Sequence, residues 1–195
     1  MGRNATLTRH TKETRINLTL DMDGTGKTDI STGIPFFDHM LTAFAVHGFF
    51  DLHVKAQGDL EVDFHHTVED TGLVLGQAVF DALGDKKGIV RFGDSCVPMD
   101  EALSMVNVDL SNRPYLVYNF PDTLKAAGAF GPYLAGEFFQ AFSVKGCLNL
   151  HINVNYGQNE HHVLESIFKA MGRSLHMASR VKKEISGSLS SKGCL

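Results

Sequence analysis

The sequence predicts an α+β fold assembled from two copies of one strand-and-helix unit, each sheet carrying its helices on one face. The first observation behind this is internal similarity. Asp51-Leu52-His53-Val54 leads through a glycine-containing turn to His65-His66-Thr67-Val68-Glu69, and Asn149-Leu150-His151-Ile152 leads through another to His161-His162-Val163-Leu164-Glu165. The two HHxxE segments stand 96 residues apart, half the chain, whereas solenoid repeats recur every ~20–50 residues. The second observation is periodicity: apolar residues alternate in some stretches and recur at i, i+3, i+4 in others, in the same order in both halves. The third is size, since 195 residues, 43% of them hydrophobic, suffice to bury one sizeable core.

In the first half, residues 14–20 and 51–55 alternate and read as strands. Residues 36–46 set Phe36, Phe37, Met40, Leu41, Phe44 and Ala45 along one helical face. Residues 67–83 do the same with Val68, Leu73, Leu75, Ala78, Val79 and Ala82, and Gly84 supplies a helix stop. The second half repeats the series, with strands over 102–110, 115–120 and 148–153 and helices over 133–142 and 162–180. Residues 1–90 are therefore expected to form one repeat and 91–185 the other. The segment 186–195, rich in Ser and Gly and without periodicity, has the composition of a disordered tail.

Composition narrows the function. Lys and Arg number 18 against 22 Asp and Glu, a formal net charge of −4. Without a basic excess, attraction to a phosphate backbone cannot dominate partner choice, and nucleic acid is not an expected partner. No apolar run approaches the roughly 20 residues that span a bilayer, and the opening MGRNATLTRHTKETRI is too polar for a signal peptide. No membrane role is expected, and the expected location is cytoplasmic. Cys96, Cys147 and Cys194 are widely spaced and lack CxxC, which suggests neither a disulfide framework nor a zinc ribbon.

The chain has ten histidines. On a helix, residues three and four apart share a face, so Glu69 lies beside His66 and His65, and Glu165 beside His162 and His161. Adjacent imidazoles point about 100° apart around a helix, so each pair serves two metal ions more naturally than it chelates one. Imidazole plus carboxylate suits Mn, Fe, Zn or Ni. One HHxxE alone can equally be a solvated helix start, its glutamate near the positive end of the helix dipole. Two copies in equivalent places favour two metals shared between the repeats. His39, in FFDHM, is a further ligand candidate because a buried histidine needs a polar partner; the alternative is a satisfied core histidine. His10, His53, His151 and His176 read as structural or surface residues.

Three basic segments suit capture of an anion: Arg91 after Gly88-Ile89-Val90, Arg113 in Ser111-Asn112-Arg113-Pro114, and the closing Ser190-Ser191-Lys192-Gly193. A guanidinium matches phosphate bidentately, and a Ser/Lys/Gly tail offers hydroxyl, ammonium and backbone donors. Solvated arginines and a loose tail are the plain alternatives.

TKET at 11–14, FFDHML at 36–41, HHTVEDTG at 65–72, PMDEAL at 98–103, DLSNRP at 109–114, EFFQAF at 137–142, LHINVNYGQNEHHVLES at 150–166 and SSKG at 190–193 together resemble the imidazoleglycerol-phosphate dehydratase family of histidine biosynthesis, end to end and in order. The resemblance implies a duplicated α+β hydro-lyase that removes water from imidazole glycerol phosphate to give imidazole acetol phosphate. It also implies a hollow 24-subunit homo-oligomer with metal sites between subunits and two Mn(II) ions per active site. The ligands it implies are His39, His65, His66, Glu69, His161, His162 and Glu165. The position repeating His39 is often His just before Phe-Phe in this family and is Glu137 here, a carboxylate that can coordinate Mn(II). Ala43 stands where the family often has Gln. Glu13 is implied as the acid/base that also contacts substrate, with Glu165, a metal-bound water or Lys169 as helpers. Arg91, Arg113, Ser190 and Lys192, joined by His47, are implied to hold the phosphate.

The chemistry explains the residue types. Dehydration takes a hydroxyl from one carbon and a weakly acidic proton from its neighbour. Metals on both ring nitrogens let the imidazole carry the developing charge through an imidazolate-like, diazafulvene-like intermediate. Two other classes share part of the set. A dinuclear metallohydrolase makes hydroxide with the same His/Glu ligands and needs no anion grip, and a non-catalytic Mn-dependent assembly protein needs no Glu13. The joint presence of histidine clusters, Glu13 and the tail favours the dehydratase.

Overall fold

In the computed structural model the chain passes through one series of elements twice. The first pass is β1 (Asn4–His10), β2 (Thr14–Asp21), β3 (Thr28–Ser31), α1 (Pro35–Gly48), β4 (Asp51–Gly58) and α2 (His65–Leu83); the second is β5 (Phe92–Met99), β6 (Ala102–Asp109), β7 (Tyr115–Asn119), α3 (Pro132–Gly146), β8 (Asn149–Tyr156) and α4 (Glu160–Ser179). The structure describes residues 2–121, 124 and 128–193; Cys194 and the end of the expected tail lie outside the described residues.

Each pass builds a four-stranded sheet of the same order, β1-β2-β4-β3 and β5-β6-β8-β7. The first three strands of each sheet pair antiparallel and the short fourth pairs parallel. Alternation puts Ile16, Leu18, Leu20, Leu52 and Val54 on the buried face of one sheet and Val106, Val108, Leu150 and Ile152 on that of the other. The helices cover these faces: α2 lies on β1 and β2, and α4 on β5 and β6. The helices then meet across the middle, α1 with α4 and α2 with α3, in a sheet–helix–sheet stack. The helices on one face of each sheet are those expected from sequence.

The burial patterns of the helix pairs correspond position by position. Every buried residue of α1, from Phe37 to Gly48, has a buried counterpart in α3 98 residues on. Every buried residue of α2 has one in α4 96 residues on. Both α1 and α3 end on left-handed residues without being glycine, Phe49 (φ 58°) and Cys147 (φ 48°). Two glycines set the crossings. A Cβ at Gly76 would lie 2.5 Å from the Phe142 carbonyl oxygen, and one at Gly172 would lie 2.2 Å from that of Phe44. Neither distance is physical, so glycine is what lets backbone meet backbone there.

The expected strands and helices are present, with α2 starting two residues earlier than the periodicity placed it. Three strands escape the sequence reading, and β1, β3 and β5 are all edges. β1 is polar throughout its exposed side, β3 has four residues, and β5 carries Gly93 and Pro98. Edge strands of this kind give little apolar alternation.

Candidate active site

The second HHxxE opens α4. Asn159 caps the helix by accepting a bond from the His161 amide at 2.9 Å, which fixes the first turn and sets His161 over Glu165. The α1–α4 crossing brings His39 to the same place. His39 Nε2 and His161 Nε2 each lie 3.1 Å from Glu165 Oε2, and ligand atoms of all three fall within 4.8 Å of one another. Phe36 presses edge-on against the His161 ring at 5.0 Å. Lys169, one turn along, holds Glu165 Oε1 at 2.8 Å, so Oε2 is the oxygen turned to the histidines. Burial raises the Glu165 carboxyl pKa, but the Lys169 hydrogen bond, then that of His39, outweigh it and hold the group down at about 2. The carboxylate is therefore charged, as a metal ligand must be.

The corresponding place in the first half is looser. His65 Nε2 stands 3.6 Å from Glu69 Oε2, and Tyr133 stacks on His65 at 6.2 Å. Glu137 occupies the counterpart of His39, and its charge pushes up the pKa of the Tyr133 hydroxyl one turn before it. Among the described residues, His39, His161 and Glu165 are the one group gathered to metal-binding distance.

The second histidine of each pair meets a different carboxylate from the first: His65 faces Glu69 and His66 faces Asp59, while His161 faces Glu165 and His162 faces Glu101. That divergence is the one the helix geometry predicts. Each of these rings is held at Nδ1 by a carboxylate, His66 by Asp59 at 3.0 Å and His162 by Glu101 at 2.7 Å. These bonds raise both imidazole pKa values. In return the His162 bond, followed by backbone amides, holds Glu101 at about 2. An imidazole anchored at Nδ1 presents Nε2 as its ligand atom. Glu13, in the β1–β2 turn, lies 4.0 Å from His66 Nε2. Sequence reasoning missed Asp59 and Glu101; Glu101 lies inside PMDEAL, but no spacing rule pointed to either.

His47, in the last turn of α1, faces Lys169 and Arg173 of α4, and burial followed by these two cations lowers its pKa. Arg173 was also missed, although its i+8 spacing from Glu165 continues the stripe through Lys169. It donates Nε to Ser95 Oγ at 3.2 Å. Arg91 and Arg113 lie elsewhere. The Arg91 amide bonds the Ala178 carbonyl at 2.8 Å, near the C-terminal end of α4. The 20-residue α4 is about 30 Å long, so within one chain the Arg91 corner and the His39 cluster occupy opposite ends. The segment 186–195, disordered by composition alone but implied by the family resemblance to be a phosphate-binding tail, is tied to the body of the chain within the described residues: Gly88 donates to the Gly187 carbonyl and Arg91 to that of Leu189, and Lys192 bonds locally to Ser190 Oγ.

Fold and site together define a class, a duplicated α+β protein with a His/Glu cluster suited to a divalent metal ion. The family profile described as imidazoleglycerol-phosphate dehydratase matches residues 32–175. The chain is 57% identical over 195 residues, the full length of both proteins, to the imidazoleglycerol-phosphate dehydratase of Desulfosudis oleivorans, and 53% identical over the same span to that of Geobacter sulfurreducens. Among solved structures, the Staphylococcus aureus enzyme of that name superimposes with a TM-score of 0.82 at 38% identity, covering 92% of this chain and 99% of its own. The Pyrococcus furiosus enzyme gives 0.84 at 35%, covering 97% and 100%. The chain belongs to the imidazoleglycerol-phosphate dehydratase family, whose members are hydro-lyases of histidine biosynthesis. None of its helices is long and apolar enough to cross a membrane, among the described residues.

Proposed function

We propose that this chain removes water from imidazole glycerol phosphate to form imidazole acetol phosphate, as a cytoplasmic, Mn(II)-dependent step of histidine biosynthesis. The cluster of His39, His161 and Glu165 carries the reading. Two imidazoles and an ionised carboxylate at this separation fit a divalent ion such as Mn(II). His65, Glu69 and Glu137 are the counterpart set for a second ion, with His66 and His162 offering Nε2 as additional donors. A bound ion supplies Lewis acidity to a nitrogen of the substrate ring.

The protein's own groups do the rest. Glu13 moves the proton of the carbon that loses it, with the half-exposed carboxylate beside His66 free to reach substrate. Lys169 keeps Glu165 ionised and aimed and offers positive charge toward the phosphate end, while His47, whose pKa burial and the neighbouring cations lower, offers that end a neutral imidazole. Arg91, Arg113, Ser190 and Lys192 close on the phosphate. Because this last group lies at the far end of α4 from the His39 cluster, one active site unites both only when two copies of the chain contribute. A homo-oligomer, the 24-subunit shell implied by family resemblance, meets that requirement.

The test is product absorbance with imidazole glycerol phosphate, using metal-stripped protein with and without Mn(II). Turnover that returns with Mn(II) is the expected result, and full turnover in its absence would reject the metal role.

A further inference from the structure

The corner between β6 and β7 sets two arginines around one carboxylate. Asp109, the last residue of β6, accepts Arg91 Nε on Oδ1 at 2.7 Å and Nη2 on Oδ2 at 3.1 Å, while Arg113 Nη2 stands 3.6 Å from the same Oδ2. Both partners of the main pair are well covered, with side-chain exposures of 12% and 15%. Two parallel charge-assisted bonds in that setting fix the guanidinium plane. Behind the corner, the buried Lys86 donates Nζ to Asn112 Oδ1 at 2.7 Å, holding the left-handed residue (φ 59°) that immediately precedes Arg113.

With Nε and Nη2 committed to Asp109, Arg91 turns Nη1 to the tail and donates to the Leu189 carbonyl at 2.8 Å. The bonds beyond that point are local, from the Ser190 amide to Ser188, the Lys192 amide to Ser190 Oγ and the Gly193 amide to Ser190. Arg91 and the tail border an open cleft of about 430 Å³ walled in part by Ser186, Ser188, Ser190 and Ser191. One hydrogen remains on each Nη for an incoming anion.

We infer that Asp109 is a positioning residue: by fixing the Arg91 guanidinium it latches Leu189 and so holds Ser190 and Lys192 at the Arg91 corner. The latch stands on this geometry alone, and its consequence for substrate rests on the phosphate grip proposed above. Arg91 thus has two tasks, holding the tail and meeting the anion, and Asp109 is what makes them compatible.

Hydrogen–deuterium exchange over 186–193 in the full chain, without substrate, reads the latch directly. Asp109→Asn is expected to speed that exchange by about tenfold, the equivalent of one charge-assisted hydrogen bond. Arg91→Lys, which keeps the charge and removes the fork, is expected to act alike and serves if the first variant does not fold. Unchanged exchange in both would overturn the inference. KM then gives the second reading. Asp109→Asn should raise KM for imidazole glycerol phosphate about tenfold with a smaller change in kcat. In a chain truncated after Leu189 the same substitution should add clearly less than in the full chain, since the part of its effect that runs through the missing segment is gone. A full additional loss in the truncated chain would overturn the latch in favour of direct action on the arginines. Faster exchange with KM unchanged would leave the latch standing and reject the phosphate grip.

Discussion

Glu165 is 7% exposed and lies against Lys169, His39 and His161. At the matching place in the first half Glu69 is half-exposed, Leu73 stands where Lys169 does, and Glu137 where His39 does. The sheets differ in the same way. The outer face of the first sheet is polar, with Thr6 beside Thr19 and Thr8 beside Asn17, whereas that of the second carries Cys96 beside Met105 and Pro98 beside Leu103. Between the sheets, by contrast, the buried helical positions correspond one for one. The comparison teaches that close backbone crossing constrains the interior of both copies equally. Helix starts and outer faces are free of that constraint, and the chemistry of the two halves has diverged there.

Breaking the gathered cluster should have the largest effect. His161→Ala removes one of two imidazoles from it, and loss of a Lewis-acid site costs several kcal/mol of barrier, about a thousandfold or more in kcat/KM. Elemental analysis of the Mn(II)-loaded protein should show less metal bound per chain than in the parent. The two hairpin glutamates come next, Glu13 just before β2 and Glu101 just before β6. Glu13→Gln is expected to lower kcat about 10²–10⁴-fold with Mn(II) content unchanged. Glu101→Gln, which loosens His162 at Nδ1, is expected instead to weaken Mn(II) binding about 10–100-fold. If both variants gave the same phenotype, the functional difference between the halves would disappear. Gly76→Ala and Gly172→Ala should each cost about 1–3 kcal/mol in urea denaturation, to similar extents, because each forces apart an equivalent crossing. The smallest change is expected from Glu137→His, which makes the looser cluster resemble the gathered one. It should retain two Mn(II) ions and alter kcat/KM by less than about tenfold.

Much of this was legible in the sequence because it is written in spacing. The HHxxE copies marked the duplication, and the 3.6-residue period located all four helices. The divergence of each histidine pair followed from helix geometry. The edge strands β1, β3 and β5 were not legible, since their pairing comes from neighbours rather than from their own alternation. Nor were Asp59, Glu101, Arg173 and Asp109 legible as partners, because each meets its target across a turn or between elements. That His39 reaches Glu165, 126 residues away, depends on a helix crossing for which sequence carried only the glycines.

Those crossings have a consequence for folding. The helices of each repeat find part of their apolar cover on the helices of the other, and the cover is fitted so closely at Gly76 and Gly172 that a single methyl group has no room. Unfolding either repeat would strip that cover from the other and wet the Phe44, Phe138 and Phe142 region, so the chain is expected to melt in one transition by calorimetry. What recurs along the sequence is a unit of repetition; what folds is the pair.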